Sequence, residues 1–357
     1  MHIAAFVTPH GFGHAGRMSA LLDALHARRP DLTVAIFTTV PEAFLGSSLR
    51  APHRIVSCRA DVGMVQRGPF RADLEATATA VTEFLDGLPD AAESAARQLR
   101  ASGCDVVLCD ISPLGLVAAA RAGIPSVLIE NFRWEWIYSN LPDAPGALRG
   151  AAERLAEISA SAGLHIQAAP ACDRAPGAVR IDRPFARAAR ARRERARSAL
   201  GLGPDERVVL ITTGGVTDEQ RFVGDLVRRP DVTFVVTGGD RSARSGHLVR
   251  IAVNAPLYLP DLVRASDAVV AKLGYSTLAE VWREGRPLAW IVRDEWPESP
   301  TLSAWATQNV SGFELDHRAF DSGDWLERLD DLLEAPSTPP RSAAGQDDAA
   351  ALILGRL

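Results

Sequence analysis

The chain has 357 residues, 47% of them apolar and 23% charged, with a net charge of −5. This length and apolar content suit two packed domains and exclude a disordered chain, and the negative balance argues against nucleic acid as a default partner. No run of about 18 apolar residues occurs, so no membrane span is expected.

The start, M-H-I-A-A-F-V, predicts a strand over 2–8 rather than a signal peptide, because no basic segment precedes it and position 9 is proline. A helix is expected over 16–29 and strands over 33–38 and 54–57. An alanine-rich helical region follows over 72–100, broken near Gly87 and Pro89. The run D-V-V-L-C over 105–109 has the apolar texture of a buried parallel strand and ends at Asp110. Next come a helix over 114–122, a strand over 124–129, a loop over 130–138 and a helix over 147–162.

Six arginines between 187 and 197 then change the texture, which reads as a solvated connecting helix rather than a membrane-surface patch. Beyond it the pattern restarts. Strands are expected over 207–212, 233–236, 249–253, 268–271 and 287–291, with helical segments over 220–228, 260–265 and 276–284 and a closing helix over 346–357. The fold class is therefore α/β, with two doubly wound Rossmann-like domains facing each other across a cleft. Their bounds are 1–180 and 204–340, joined by a linker over 181–203 and followed by a terminal helix over 341–357.

The four cysteines, Cys58, Cys104, Cys109 and Cys172, have neither disulfide-framework nor zinc-ligand spacing. They read as reduced core thiols of a cytoplasmic protein. Lys272 is the sole lysine among 39 lysines and arginines. In so arginine-biased a chain it is a candidate for a role that arginine cannot fill.

The first strand-to-helix turn reads T-P-H-G-F-G-H-A-G-R over 8–17. Gly11, Gly13 and Gly16 satisfy the literal G-x-G-x-x-G of dinucleotide folds, so a nicotinamide oxidoreductase has to be weighed. The second strand, however, ends in threonines where an acidic residue should hold a ribose, and His10 and His14 have no role beside a pyrophosphate. A neutral imidazole at that turn can instead take a proton from a hydroxyl near neutral pH. Asp110, two βα units on, is placed to orient it.

A second constellation, D-A-V-V-A-K-L-G-Y-S-T-L-A-E, runs over 267–280. Lys272 ends a strand, Gly274 makes the turn, and Tyr275, Ser276 and Thr277 open a helix whose N–H groups suit an anion. Gly214 and Gly215 offer further backbone N–H groups after another strand. Glu280, one turn inside the helix, is a carboxylate suited to a sugar diol, and Asp294 and Glu298 on the next loop suit sugar hydroxyls. Trp134, Trp136 and Tyr138 alternate in one segment, as an edge for stacking a sugar or an aromatic group would.

The order G-x-G-H, then Gly-Gly, then K-x-G-Y-S-T-x-x-E resembles the GT-B glycosyltransferases, within them the MurG-like group. It is most similar to the glycosyltransferase-like N-terminal region of the L-arabinokinase family. That region carries G-H-G-F-G-H-A-T-R, N-F-x-W-x-x-I-Y and K-I-G-Y-G-T. Here the positions read P-H-G-F-G-H-A-G-R over 9–17, N-F-R-W-E-W-I-Y over 131–138 and K-L-G-Y-S-T over 272–277. The likeness covers nearly the whole chain without the kinase half. Gly16 replaces the family's threonine, and Ser276 a glycine.

The resemblance implies an inverting, metal-independent glycosyltransferase with no cofactor and a nucleoside-diphosphate sugar, expected to be a UDP-sugar, as co-substrate. His14 is the implied base, Asp110 its partner, and His10 the second choice of base. The donor would lie on Gly214, Gly215, Tyr258, Leu259, Lys272, Gly274, Tyr275, Ser276, Thr277, Glu280, Asp294 and Glu298. A small-molecule acceptor would lie on Gly11, Gly13, Arg17, Asn131, Trp134 and Trp136. The alternatives are a nucleotide-sugar epimerase of the same fold or a non-catalytic sugar-nucleotide-binding module.

Overall fold

A computed structural model describes the chain except for residues 69, 215–220, 253, 254, 256 and 257. The first half runs β1 (His2–Val7), α1 (Phe12–Arg28), β2 (Thr33–Thr38), α2 (Glu42–Ser48), β3 (His53–Ser57), α3 (Leu74–Ala101) and β4 (Val106–Asp110). It continues with α4 (Pro113–Ala122), β5 (Ser126–Glu130), α5 (Trp134–Asn140), α6 (Gly146–Ala160), β6 (Leu164–Ala168) and β7 (Val179–Ile181). Its strands form one parallel sheet in the order β3-β2-β1-β4-β5-β6-β7, with the order reversing beside β1. β1 and β4 are buried on both faces, which is why they read as unbroken apolar runs.

After α7 (Arg193–Ala199) the second half places β8 (Arg207–Thr212), a 3-10 helix (Arg221–Arg228), β9 (Val232–Gly239), β10 (Ala243–Ser245), β11 (Leu248–Ala252), α8 (Leu259–Ala265) and β12 (Ala268–Lys272). Then follow α9 (Tyr275–Glu284), β13 (Leu288–Ile291), α10 (Ser299–Asn309), β14 (Gly312–Leu315), α11 (His317–Ser322), α12 (Leu329–Glu334) and α13 (Gly345–Leu354). The order β10-β11-β9-β8-β12-β13-β14 is parallel apart from the β10–β11 edge pair. Apolar clusters cover both faces of each sheet, giving two cores, and α13 crosses back to pack on α1.

Four expectations are corrected. The helix expected from 16 begins at Phe12, because Gly11, at φ +71, makes the whole strand-to-helix turn. The break expected near Gly87 and Pro89 is absent, and α3 runs unbroken through Pro89. Proline leaves the carbonyl four residues back without its amide, and Arg154 Nη2 donates to that Leu85 oxygen at 2.9 Å.

The loop expected over 130–138 contains α5, whose buried positions Trp134, Ile137 and Tyr138 follow i, i+3, i+4 spacing. The arginine-rich linker is not a solvated helix. Only Arg193–Ala199 is helical, and Arg187 and Arg197 are buried. Arg197 donates to the carbonyls of Ala265, Pro204 and Glu206 and pairs with Asp267 at 2.8 Å. β6, β7, β10, β14, α2, α10, α11 and α12 were not anticipated. All four cysteine thiols are free, and only Cys109 is fully buried.

Candidate active site

The C-terminal ends of the two sheets meet at a cavity of about 440 Å³. From the first half, His10, Gly11, Gly13, His14, Arg17 and Asn131 line it. From the second half, Gly214, Leu259, Lys272, Gly274, Tyr275, Ser276, Thr277 and Glu298 line it. The helices α1 and α9 both open onto this space, and neither N-terminus has a side-chain cap. Their first N–H groups are therefore left for a ligand. The two turns touch: Ser276 Oγ donates to the Gly13 carbonyl at 2.6 Å. A Cβ on Gly16 would stand 3.4 Å from both Ser276 Oγ and Arg187 Nε, so this glycine serves the close approach of the halves.

His14 Nδ1 lies 3.1 Å from Asp110 Oδ1, and Asp110 is fully buried behind the ring. Arg17 donates to the same carboxylate and to Asn131 Oδ1, and its Nη2 is 3.1 Å from His14 Nδ1. Nδ1 cannot donate to Asp110 and accept from Arg17 at once. The anionic carboxylate is the stronger partner, so the network assigns the proton to Nδ1 and leaves the Nε2 lone pair for a ligand. Burial lowers the His14 pKa, although Asp110 opposes the shift, so the ring is neutral near pH 7. Burial pushes Asp110 up, but Arg17 and His14 together outweigh it and hold the carboxyl below its ordinary value.

On the opposite wall Lys272 is half-buried at the end of β12, its Nζ beside Gly214, and Arg293 lies close enough to add repulsion. Burial first and Arg293 second pull its pKa down to about 7. Among the described residues no carboxylate pairs with it. Arg293, which sequence reading did not single out, ion-pairs with Glu298 and lies 3.4 Å over the Trp296 ring. Both Arg293 and Trp296 line the cavity, as do Phe12, Phe44, Phe132 and Arg187. Their signal was weak, because a lone arginine or aromatic shows no periodicity.

The structure does not bring every anticipated residue to the cavity. Glu280 lies behind the wall, 1% exposed, with Oε1 held by Arg187 Nε at 2.6 Å and Oε2 without a partner. Tyr258 braces the linker, its hydroxyl on the Ala188 carbonyl at 2.9 Å and Arg190 4.1 Å over its ring. Asp294 is exposed outside the lining. Trp134 is buried beneath His10, stacked on Tyr138 with ring centroids 5.8 Å apart, and donates to Asp61. Trp136 packs against the first core. Gly215 falls outside the described residues.

No family model matches the chain. It is 28% identical over 335 residues to an L-arabinokinase of Arabidopsis thaliana, covering 92% of this chain and 32% of that protein. The chain thus spans about a third of the length of that curated relative. Among solved structures, the glycosyltransferase SnogD from Streptomyces nogalater superposes with TM-score 0.59 at 18% identity, covering 100% of this chain and 99% of that one. The fold is that of the GT-B glycosyltransferases.

The Streptomyces glycosyltransferase SsfS6, solved with thymidine diphosphate, matches at TM-score 0.59 and 17% identity over 99% of each chain. The spinosyn rhamnosyltransferase SpnG, solved with spinosyn aglycone, matches at 0.57 and 16% over 100% of this chain and 95% of that one. Among the described residues no helix is long and apolar enough to cross a membrane.

Proposed function

We propose that the chain moves a sugar from a nucleoside-diphosphate sugar to a hydroxyl of a small-molecule acceptor, with inversion and without a metal. One observation carries the reading. A neutral His14, backed by Asp110, faces Lys272, which has no carboxylate partner among the described residues, and the uncapped N-terminus of α9 across one cavity.

In this reading the acceptor oxygen attacks the anomeric carbon while His14 Nε2 takes its proton. The bond from that carbon to the diphosphate oxygen breaks, and its electron pair stays on the diphosphate. A single displacement inverts the centre. Charge gathers on the leaving diphosphate, where the N–H groups of Tyr275, Ser276 and Thr277, the Gly214 turn, Lys272 and Arg293 supply fixed positive character in a buried site. These groups do the work a divalent cation does elsewhere. Leu259 at the start of α8 borders the base, and Glu298, oriented by Arg293, takes sugar hydroxyls. A base so placed contributes about 10²–10⁴ in rate.

The neighbouring enzyme solved with thymidine diphosphate makes TDP-sugars candidates beside the UDP-sugars expected from sequence. The test is a thermal-shift panel of UDP, TDP, GDP, ADP and NAD, followed by turnover with the UDP- or TDP-glucose that fits. A ligand at a hundred times its Kd stabilises the native state by about 2.7 kcal/mol. Stabilisation by UDP or TDP followed by transfer supports the reading. Stabilisation by NAD alone overturns it.

A further inference from the structure

The buried surroundings of His10 are more elaborate than a second-choice base requires. The Met64 amide donates to His10 Nδ1 at 3.3 Å. That bond puts the lone pair on Nδ1 and the proton on Nε2, the reverse of His14. The ring stands edge-on to Trp134, with centroids 5.2 Å apart, and 6.1 Å from the Trp296 ring on the other half. Trp134 is itself fixed by Asp61, and Tyr138 by a 2.9 Å bond from its hydroxyl to the Gly63 carbonyl. Gly63, at φ +67, leaves the space the ring occupies: a Cβ there would lie 2.7 Å from His10 Cγ. Burial, then His14, Arg293 and Lys272, all hold His10 neutral.

We propose that His10 is the fixed hydrogen-bond donor of the site, and that it selects a substrate bearing an acceptor oxygen beside the hydroxyl that His14 deprotonates. The two rings are 6.4 Å apart between centroids. Two hydrogen bonds of about 3 Å each reach across about 6 Å between ring nitrogens, so two adjacent substrate oxygens, one for each ring, fit at this separation. When one hydroxyl donates to His14 and its neighbouring oxygen accepts from His10, the substrate is held in one orientation. The substrate class this favours is a vicinal diol, an ortho-diphenol or an α-hydroxy carbonyl compound. Trp134, Tyr138, Asp61 and Gly63 are positioning residues for His10. Its role as base is thereby replaced by that of donor.

The selection rests on the transferase reading, but the tautomer does not, and the two are read separately. In protein with 15N-labelled histidine, His10 is assigned by the signals lost in His10→Asn. The expected spectrum between pH 6 and 8 has Nδ1 at the unprotonated shift and Nε2 protonated, without titration, while His14 shows the opposite pattern. A protonated Nδ1, or titration of His10 in that window, overturns the assignment. Transfer to catechol is expected to exceed transfer to phenol about tenfold in the wild type. That ratio should survive in His10→Asn, which keeps a donor, and fall toward one in His10→Phe. Equal rates in the wild type, or an unchanged ratio in His10→Phe, overturn the selection.

Discussion

Arg187 and Glu280 form a 2.6 Å ion pair in which both side chains are almost wholly buried, and it ties the linker to α9 behind the cavity. Arg187 Nη1 also donates to Ser48 Oγ at 2.6 Å, so one guanidinium holds α2, the linker and α9 together. Removing one partner of such a pair strands a buried charge and costs about 3–5 kcal/mol. Glu280→Gln is therefore expected to lower the melting temperature strongly while changing nucleotide affinity little. The measurement is thermal unfolding alongside UDP or TDP titration. A large loss of affinity with unchanged stability would instead make Glu280 a ligand for the ribose.

Asp110 serves two neighbours, and its replacement separates them. Asp110→Asn no longer fixes the His14 tautomer, so kcat should fall by about 10²–10⁴ with little change in KM. It also leaves Arg17 buried without its counter-charge, which destabilises the fold. His14→Ala should show the same kinetic loss with a much smaller loss of stability. Steady-state kinetics and calorimetry on both variants check this; equal destabilisation would contradict the arrangement.

Lys272 makes nucleotide binding depend on pH. Its pKa of about 7 in the free protein means that it is half neutral near pH 7. A bound diphosphate favours the ammonium, so binding at pH 8 takes up close to one proton and affinity weakens as pH rises above 7. Calorimetry in buffers of different ionisation enthalpy reads the uptake directly. In Lys272→Met the uptake should vanish and affinity drop about ten- to a hundredfold. The sign for stability is opposite to that of a paired lysine. The unfolded chain keeps this group protonated up to about 10.4. The native state therefore gains stability as pH rises from about 7 toward that value.

Gly63→Ala tests the seat of His10. The new Cβ would meet the imidazole and occupy a left-handed backbone, a strain of about 1–2 kcal/mol. The expected result is a modest fall in melting temperature with loss of the His10 nitrogen signature described above. A variant that keeps that signature intact would show that the ring has another support.

Much of the architecture was legible in the sequence because buried parallel strands are written as contiguous apolar runs. The runs at β4, β8 and β12 could be read directly. Edge strands such as β7, three residues long and partly exposed, carry no such signal. The α5 helix was hidden because W-E-W-I-Y alternates on paper, while only the packed structure shows that Trp134, Ile137 and Tyr138 are the buried set.

The amino-acid sequence by itself determined that two βα runs exist, that one turn carries two histidines, and that the single lysine stands before a helix start. These follow from local composition and spacing, which act over one turn or one strand. Only the tertiary structure decided which groups face one another. It placed Asp110 behind His14, Met64 against His10, and Arg187 on Glu280, separated by 96, 54 and 93 positions along the chain. Proton positions and buried charge depend on such distant neighbours, since desolvation and pairing are set by what packs around a group rather than by what adjoins it in sequence.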